Sequence, residues 1–232
     1  MLNSIEELEA LYGQPHDRAV RKQIPFLNED YQAMVRASPL VIVSSVGPDG
    51  MDGSPRGDTP GFVRIIDERT LAIPDRPGNN RIDTLRNVVL DSRVSLLFII
   101  PGIGETLRVN GTAQISAEPG LLESFAVNGK PARTVMLVTV EAAYFHCSKA
   151  IVRSDLWNPE KHLERSALPT AGAFHKRLND GQFDAETYDR EAPARVRDSL
   201  VALDSSYRGR IYRFRSISCH AIPPWSDAEG LM

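Results

Sequence analysis

The sequence predicts a mainly β chain with flanking helices (α+β), built on an antiparallel barrel of six or seven short strands. Strand-length runs rich in branched residues recur from Leu40 to His146, with turn signals between them. A single helix-like stretch after Asn79-Asn80 interrupts those runs, which favours a barrel over an immunoglobulin-type sandwich. The segments before Leu40 and after His146 are polar and helical in texture, with no shift that marks a second core.

In chain order, residues 4–12 read as a helix, with Ser4 and Glu7 at capping-box spacing and Leu8 and Leu11 on one face. Gln14 to Arg18 reads as a loop, and a second helix runs over about 28–37 until Pro39 closes it. Leu40–Val46 and Met51–Asp58 form a strand pair around the Gly47-Pro-Asp-Gly50 turn. Gly61–Ile66 and Thr70–Ile73 pair around Asp67-Glu-Arg69. Val94–Ile100 is continuously apolar and reads as a strand buried on both faces. Thr106–Ile115 alternates, with Leu107, Val109 and Gly111 on the apolar side. Pro119–Val127 reads as a short helix and Thr134–His146 as the last long strand. Helices are predicted over Ser148–Trp157, His162–Leu178 and Asp184–Leu203, with a weak strand or arm over Arg210–Ser218. The expected organisation is a helical segment 1–38 packing on a barrel 39–160, followed by a helical extension 161–232.

Composition narrows the function classes. A formal charge of −3 over 232 residues gives no global field toward nucleic acid or anionic membrane. No apolar run approaches the roughly 20 residues that span a bilayer, and the N-terminus lacks a secretory pattern. Cys147 and Cys219 form no CxxC, so neither a disulfide framework nor a structural zinc site is indicated. A reduced cytoplasmic setting is the default expectation. His146 and Cys147 read as core residues at a strand end, and with no clustered carboxylates or second nearby His a metal site is not expected.

The chemically suggestive stretch is Ile73-Pro-Asp-Arg-Pro-Gly-Asn-Asn-Arg81, continuing to Asn87. Pro77-Gly78 breaks a strand, and Asn79 or Asn80 can N-cap a helix whose capping-box acid is Asp83. Ile82, Leu85 and Val89 then fall on one face. A helix N-terminus flanked by Arg76 and Arg81 suits a phosphate, since free N–H groups and guanidinium forks both match its oxygens. The residues fit two readings: a phosphate seat, or an ordinary capped helix with two solvated arginines. No nucleophile elbow, dinucleotide fingerprint or acid/base pair stands out, so no catalytic residue is assigned.

Residues 40–157 resemble the flavin-binding split β-barrel family of pyridoxamine 5'-phosphate oxidase-related proteins. The resemblance rests on Ser54-Pro-Arg-Gly-Asp58, the 73–81 loop, Leu85-Arg-Asn87, Thr106-Leu-Arg-Val-Asn-Gly111, and His146-Cys-Ser-Lys-Ala150 with Arg153-Ser154 and Leu156-Trp157. It implies a homodimer with two FMN molecules seated between subunits, and redox chemistry with NAD(P)H or another small molecule. By the same resemblance Arg56, Gly57 and Asp58 would run along the flavin, and Asp75, Arg76, Asn79, Asn80 and Arg81 would form the phosphate loop. Thr106 would put a polar side chain on the flavin. Lys149, Arg153, Ser154 and Trp157 would come from the other subunit, with Trp157 equally compatible with plain core packing. The tail Ser218-Cys-His-Ala-Ile-Pro-Pro-Trp225 lacks the Arg-x-His substrate signature of true pyridoxamine 5'-phosphate oxidases. An FMN-dependent oxidoreductase of unidentified substrate is therefore the leading expectation. A non-catalytic flavin carrier or sensor, or a deazaflavin- or haem-binding member of the same fold, is the alternative.

Overall fold

Seven strands carry the fold of this protein, seen here in a computed structural model that describes residues 1–199. They are β1 (Leu40–Gly47), β2 (Gly50–Gly57), β3 (Arg64–Asp67), β4 (Thr70–Asp75), β5 (Arg93–Ile99), β6 (Thr106–Ser116) and β7 (Thr134–His146). All pairings are antiparallel, in the order β2-β1-β5-β6-β7-β4-β3. Eight helices accompany them among the described residues: α1 (Ile5–Tyr12), α2 (Asp17–Arg21), α3 (Glu29–Ala37), α4 (Asp83–Leu90), α5 (Pro119–Ser124), α6 (Lys149–Ser154), α7 (Ala171–Leu178) and α8 (Ala185–Ser199). The predicted arm over 210–218 and the predicted helix beyond Ser199 lie outside the described residues.

Alternation explains most of the sheet. Val41 and Val43 of β1, Val94, Leu96 and Phe98 of β5, Leu107 and Val109 of β6, and Val138 and Val140 of β7 share one buried core. Leu27, Tyr31 and Val35 cover it from around α3, and Val88 from α4. Burying each such side chain contributes about 1.5–3 kcal/mol, so this interior dominates stability. A smaller cluster of Ala72, Phe125, Ala132 and Val135 lies under α5. On β5 the expectation of burial on both faces is corrected, because Ser95, Leu97 and Ile99 are only half-buried between the fully covered Val94, Leu96 and Phe98.

β3 pairs with β4 only over Thr70–Ala72, leaving Ile73–Asp75 without a strand partner on that side. The free edge of β2 meets that gap. Arg56 of β2 lies 3.9 Å from Asp75 of β4, and Arg76 reaches Asp58 at 3.1 Å. The sheet therefore curls until its ends meet through side chains, not through a backbone ladder, which makes the barrel split.

Glycine is required at one position inside the sheet. Register shifts between Asn110 and Gly111, and a Cβ on Gly111 would collide with the Thr139 carbonyl of β7.

Helix boundaries differ from the prediction in instructive places. Asp17 and Arg18, expected as the end of a loop, open the helix Asp17–Arg21. Neither Asn79 nor Asn80 caps α4. Its N-cap is Ile82 in the left-handed region (φ 47°), with no side-chain cap, and Asp83 is the first helical residue. Its buried face is Thr84 and Val88, with Leu85 partly covered, whereas Ile82 and Val89 are exposed. α6 stops at Ser154, where Asp155 turns left-handed, so Trp157 is not on that helix. The predicted helix over His162–Leu178 is one short 3-10 turn, Arg165–Ala167, followed by α7; another 3-10 turn, Pro159–Lys161, precedes it.

Candidate functional site

The split between β2 and β4 opens into a cavity of about 640 Å³, within the range of small-molecule sites. Asp52–Gly57 line one wall, Pro74–Arg76 and Arg133-Thr134 another, and Gly78–Leu85 the third. Of the residues expected to hold a cofactor, the structure brings Arg56, Gly57, Asp75, Arg76, Asn79, Asn80 and Arg81 together here.

Local structure fixes that wall. Thr84 is buried and its hydroxyl donates to Asp52 Oδ2 at 2.9 Å, while Asn87 Nδ2 donates to Ser45 Oγ at 3.1 Å. These bonds clamp α4 onto the β1–β2 hairpin. The helix N-terminus, with Ile82, Asp83, Thr84 and Leu85 on the cavity, carries no side-chain cap. Its first N–H groups are thereby left to a ligand or to water, and the helix end lends them partial positive charge.

Four arginines line the cavity, and three are already engaged. Arg56 faces Asp75 and also donates to Ser54 Oγ and the Pro55 carbonyl. Arg76 donates to Asp58 Oδ2 at 3.1 Å and to the Phe125 carbonyl at 2.8 Å, so it acts as a strut across the split. Asp58 itself is buried against Arg76 and is not part of the cavity lining. Arg81, largely exposed, pairs with Asp83 at 2.8 Å, a contact that a surface arginine can exchange for a phosphate at small cost. Arg133 has no ion pair among the described residues and donates to Asn80 Oδ1 at 2.6 Å. Beside it, the buried Thr134 hydroxyl has no hydrogen-bond partner. A buried polar atom without a partner costs about 1–3 kcal/mol, so a polar ligand here would relieve it.

Asn79 Oδ1 accepts from the Arg81 N–H and Asn80 Oδ1 from Arg133, which leaves their NH2 groups for an anion. Burial pushes the Asp75 carboxyl above its ordinary range, against the pull of Arg56 and Arg133.

Sequence reasoning missed Arg133 and Thr134. They enter because β4 and β7 pair antiparallel, which puts Thr134 opposite Asp75. No local motif marks them; only the predicted pairing of the two strands could have found them.

The other expected residues lie elsewhere on the chain. Thr106 opens β6 opposite His146 and does not line the cavity. Lys149 and Arg153 are exposed on α6, and the Ser154 hydroxyl donates back to the Ile151 carbonyl at 3.0 Å. Trp157 is half-buried and donates through Nε1 to the Ile103 carbonyl at 2.8 Å. His146 is half-buried, whereas Cys147 is exposed, which corrects its reading as a core residue.

Comparison with known proteins follows the geometry. A family model described as pyridoxamine 5'-phosphate oxidase matches residues 27–147, just over half of the chain. No curated protein gives a significant match. Among solved structures, HupZ from Group A Streptococcus is 19% identical over 50% of this chain and 90% of its own, with a TM-score of 0.41. A Clostridium acetobutylicum protein related to general stress protein 26 of the pyridoxinephosphate oxidase family is 15% identical over 51% of this chain and 86% of its own, at 0.41. General Stress Protein 26 from Bacillus anthracis is 13% identical over 49% and 88%, at 0.39.

Proposed function

This chain belongs to the pyridoxamine 5'-phosphate oxidase family, and we propose that it is an FMN-dependent oxidoreductase acting on a small molecule. The observation that carries the reading is the seat at the end of the split cavity. A helix N-terminus without a side-chain cap, an arginine with no ion pair among the described residues and a buried hydroxyl unpartnered among them converge there. That donor set is what a terminal phosphate monoester requires.

In this reading Arg133, Arg81, Thr134, Asn79, Asn80 and the α4 N–H groups hold the phosphate. Arg56 and Gly57 run along the rest of the mononucleotide, with Asp58 and Arg76 keeping the split open to a fixed width. When bound, FMN supplies hydride and single-electron transfer, and the protein supplies position and local charge. Lys149, Arg153, Ser154 and Trp157 stand apart from this chain's cavity, so their part in the site requires a second copy of the chain. Thr106, which opens β6 opposite His146, is assigned in this reading to the flavin from the same side. NAD(P)H is the natural first reductant to assay.

The test is the identity of what copurifies. The purified protein should be yellow, and heat-denatured supernatant should release a species with the mass of FMN. A colourless protein that also fails to take up added FMN would overturn the reading. Oxidation of NAD(P)H by the loaded protein separates an oxidoreductase from a carrier.

A further inference from the structure

We propose that the outward face of β6 and β7 holds a second binding site, for the carboxylate or phosphate group of a small organic anion, built by Lys22, Arg108 and His146. None of these residues lines the cavity between β2 and β4, so the inference does not rest on flavin binding.

The register places the parts. Arg108 stands opposite Tyr144, and Thr106 opposite His146. Side chains directly opposite one another share a face of the sheet. Arg108 donates to the Tyr144 hydroxyl at 3.0 Å and lies 5.6 Å from the ring centroid. The His146 ring is 5.1 Å from the same ring. β4 pairs only with Thr134–Thr139 of β7, so the later part of β7 has an edge free of strands. The segment after α2 occupies it: Ile24 exchanges both backbone bonds with Ala143, at 3.0 and 2.8 Å. The buried Tyr31 donates its hydroxyl to the Lys22 carbonyl. Lys22 is thus held in place, with Nζ 5.9 Å from the Tyr144 centroid and 4.9 Å from that of Phe145.

Two permanent cations therefore converge on one ring, and neither forms an ion pair among the described residues. The face of Tyr144 attracts each of them but does nothing for their mutual repulsion. Beside the same ring, His146 Nε2 is buried with no hydrogen-bond partner among the described residues. Burial, then Arg108 and Lys22, push the imidazole below its ordinary pKa, so the ring is held neutral in a positive field. An anionic oxygen group satisfies all three demands: it neutralises Lys22 and Arg108, and it accepts a hydrogen bond from the neutral imidazole in the tautomer that carries its hydrogen on Nε2.

The test uses the full-length protein with 15N-labelled histidine, read by imidazole NMR at fixed ionic strength. The probes are inorganic phosphate and acetate, with chloride as the control anion. The His146 Nε2 signal should shift saturably with phosphate or acetate and not with chloride, and the probe that saturates first identifies the group. Lys22→Gln and Arg108→Gln should each raise the apparent dissociation constant about tenfold or more, as expected for loss of a charge-assisted contact. No saturable shift, or equal saturation in both variants, would overturn the proposal. Lys22 lies at the edge of the sheet, so Lys22→Gln decides the matter should Arg108→Gln fail to fold. Flavin content measured on the same samples keeps the two sites apart: a protein without flavin that still shows the phosphate shift retains this site.

Discussion

Arg133 is the one cavity arginine with no carboxylate of its own among the described residues, which makes it the best electrostatic match for a ligand phosphate. Arg133→Ala should weaken FMN by about 1.5–3 kcal/mol, or roughly tenfold to more than a hundredfold, while riboflavin loses little. Fluorescence titration of both flavins checks this; equal losses would remove Arg133 from the phosphate. Arg81→Ala should move in the same direction by less, because Arg81 must first leave Asp83. Asp75, on the same wall, sets a pH dependence. Its folded pKa is raised from the ordinary 3.8, mainly by burial. The folded chain therefore holds this proton to higher pH than the unfolded chain does. Its contribution to stability is fully present below about 3.8 and is lost as pH rises through the folded value. Asp75→Asn should flatten that part of the profile, measured by urea denaturation between pH 4 and 7. A wild type that gains stability over Asp75→Asn across the window would contradict the assigned sign.

Elements differ in how much of themselves they display in sequence. β6 was legible because its apolar residues alternate and the alternation coincides with burial, and β7 because Thr134–His146 is a long run rich in branched and apolar residues. α4 was legible as a helix, but its start was not. Two asparagines and an aspartate imitate a capping box, yet tertiary clamps from Thr84 and Asn87 fix the helix start two or three residues later than the side chains suggest. The cavity-lining loop was readable from its arginines and asparagines, whereas Arg133 and Thr134 were invisible until β7 was laid beside β4. The displaced start leaves Ile82, a β-branched residue, at φ 47°. Such a residue in the left-handed region is strained by about 1–3 kcal/mol. Asparagine tolerates that region, and Ile82 buries little. Ile82→Asn should therefore raise stability by about 0.5–1 kcal/mol, a part of the stored strain. Thermal melting checks the gain. A loss of stability would mean that Ile82 supports the fold through contacts and not against strain.

At the scale of the whole molecule, the expected flavin residues fall into two groups that one chain does not bring together. Arg56, Gly57, Asp75, Arg76, Asn79, Asn80 and Arg81 gather around the cavity, while Lys149, Arg153, Ser154 and Trp157 cluster after β7 and beside the 101–104 turn. If two copies share each site, the cavity of one faces α6 of the other. Complementation then has a definite signature. Arg133→Ala carries a damaged cavity with an intact α6, and Lys149→Ala/Arg153→Ala carries the reverse. In a mixed dimer both lesions fall on one site, and the second site is built only from intact parts. Co-refolding the two variants should restore FMN binding to about one site per mixed dimer, counted by flavin absorbance on protein whose dimeric mass is confirmed by ultracentrifugation. A site contained in one chain would instead leave every site with one lesion, and mixing would restore nothing.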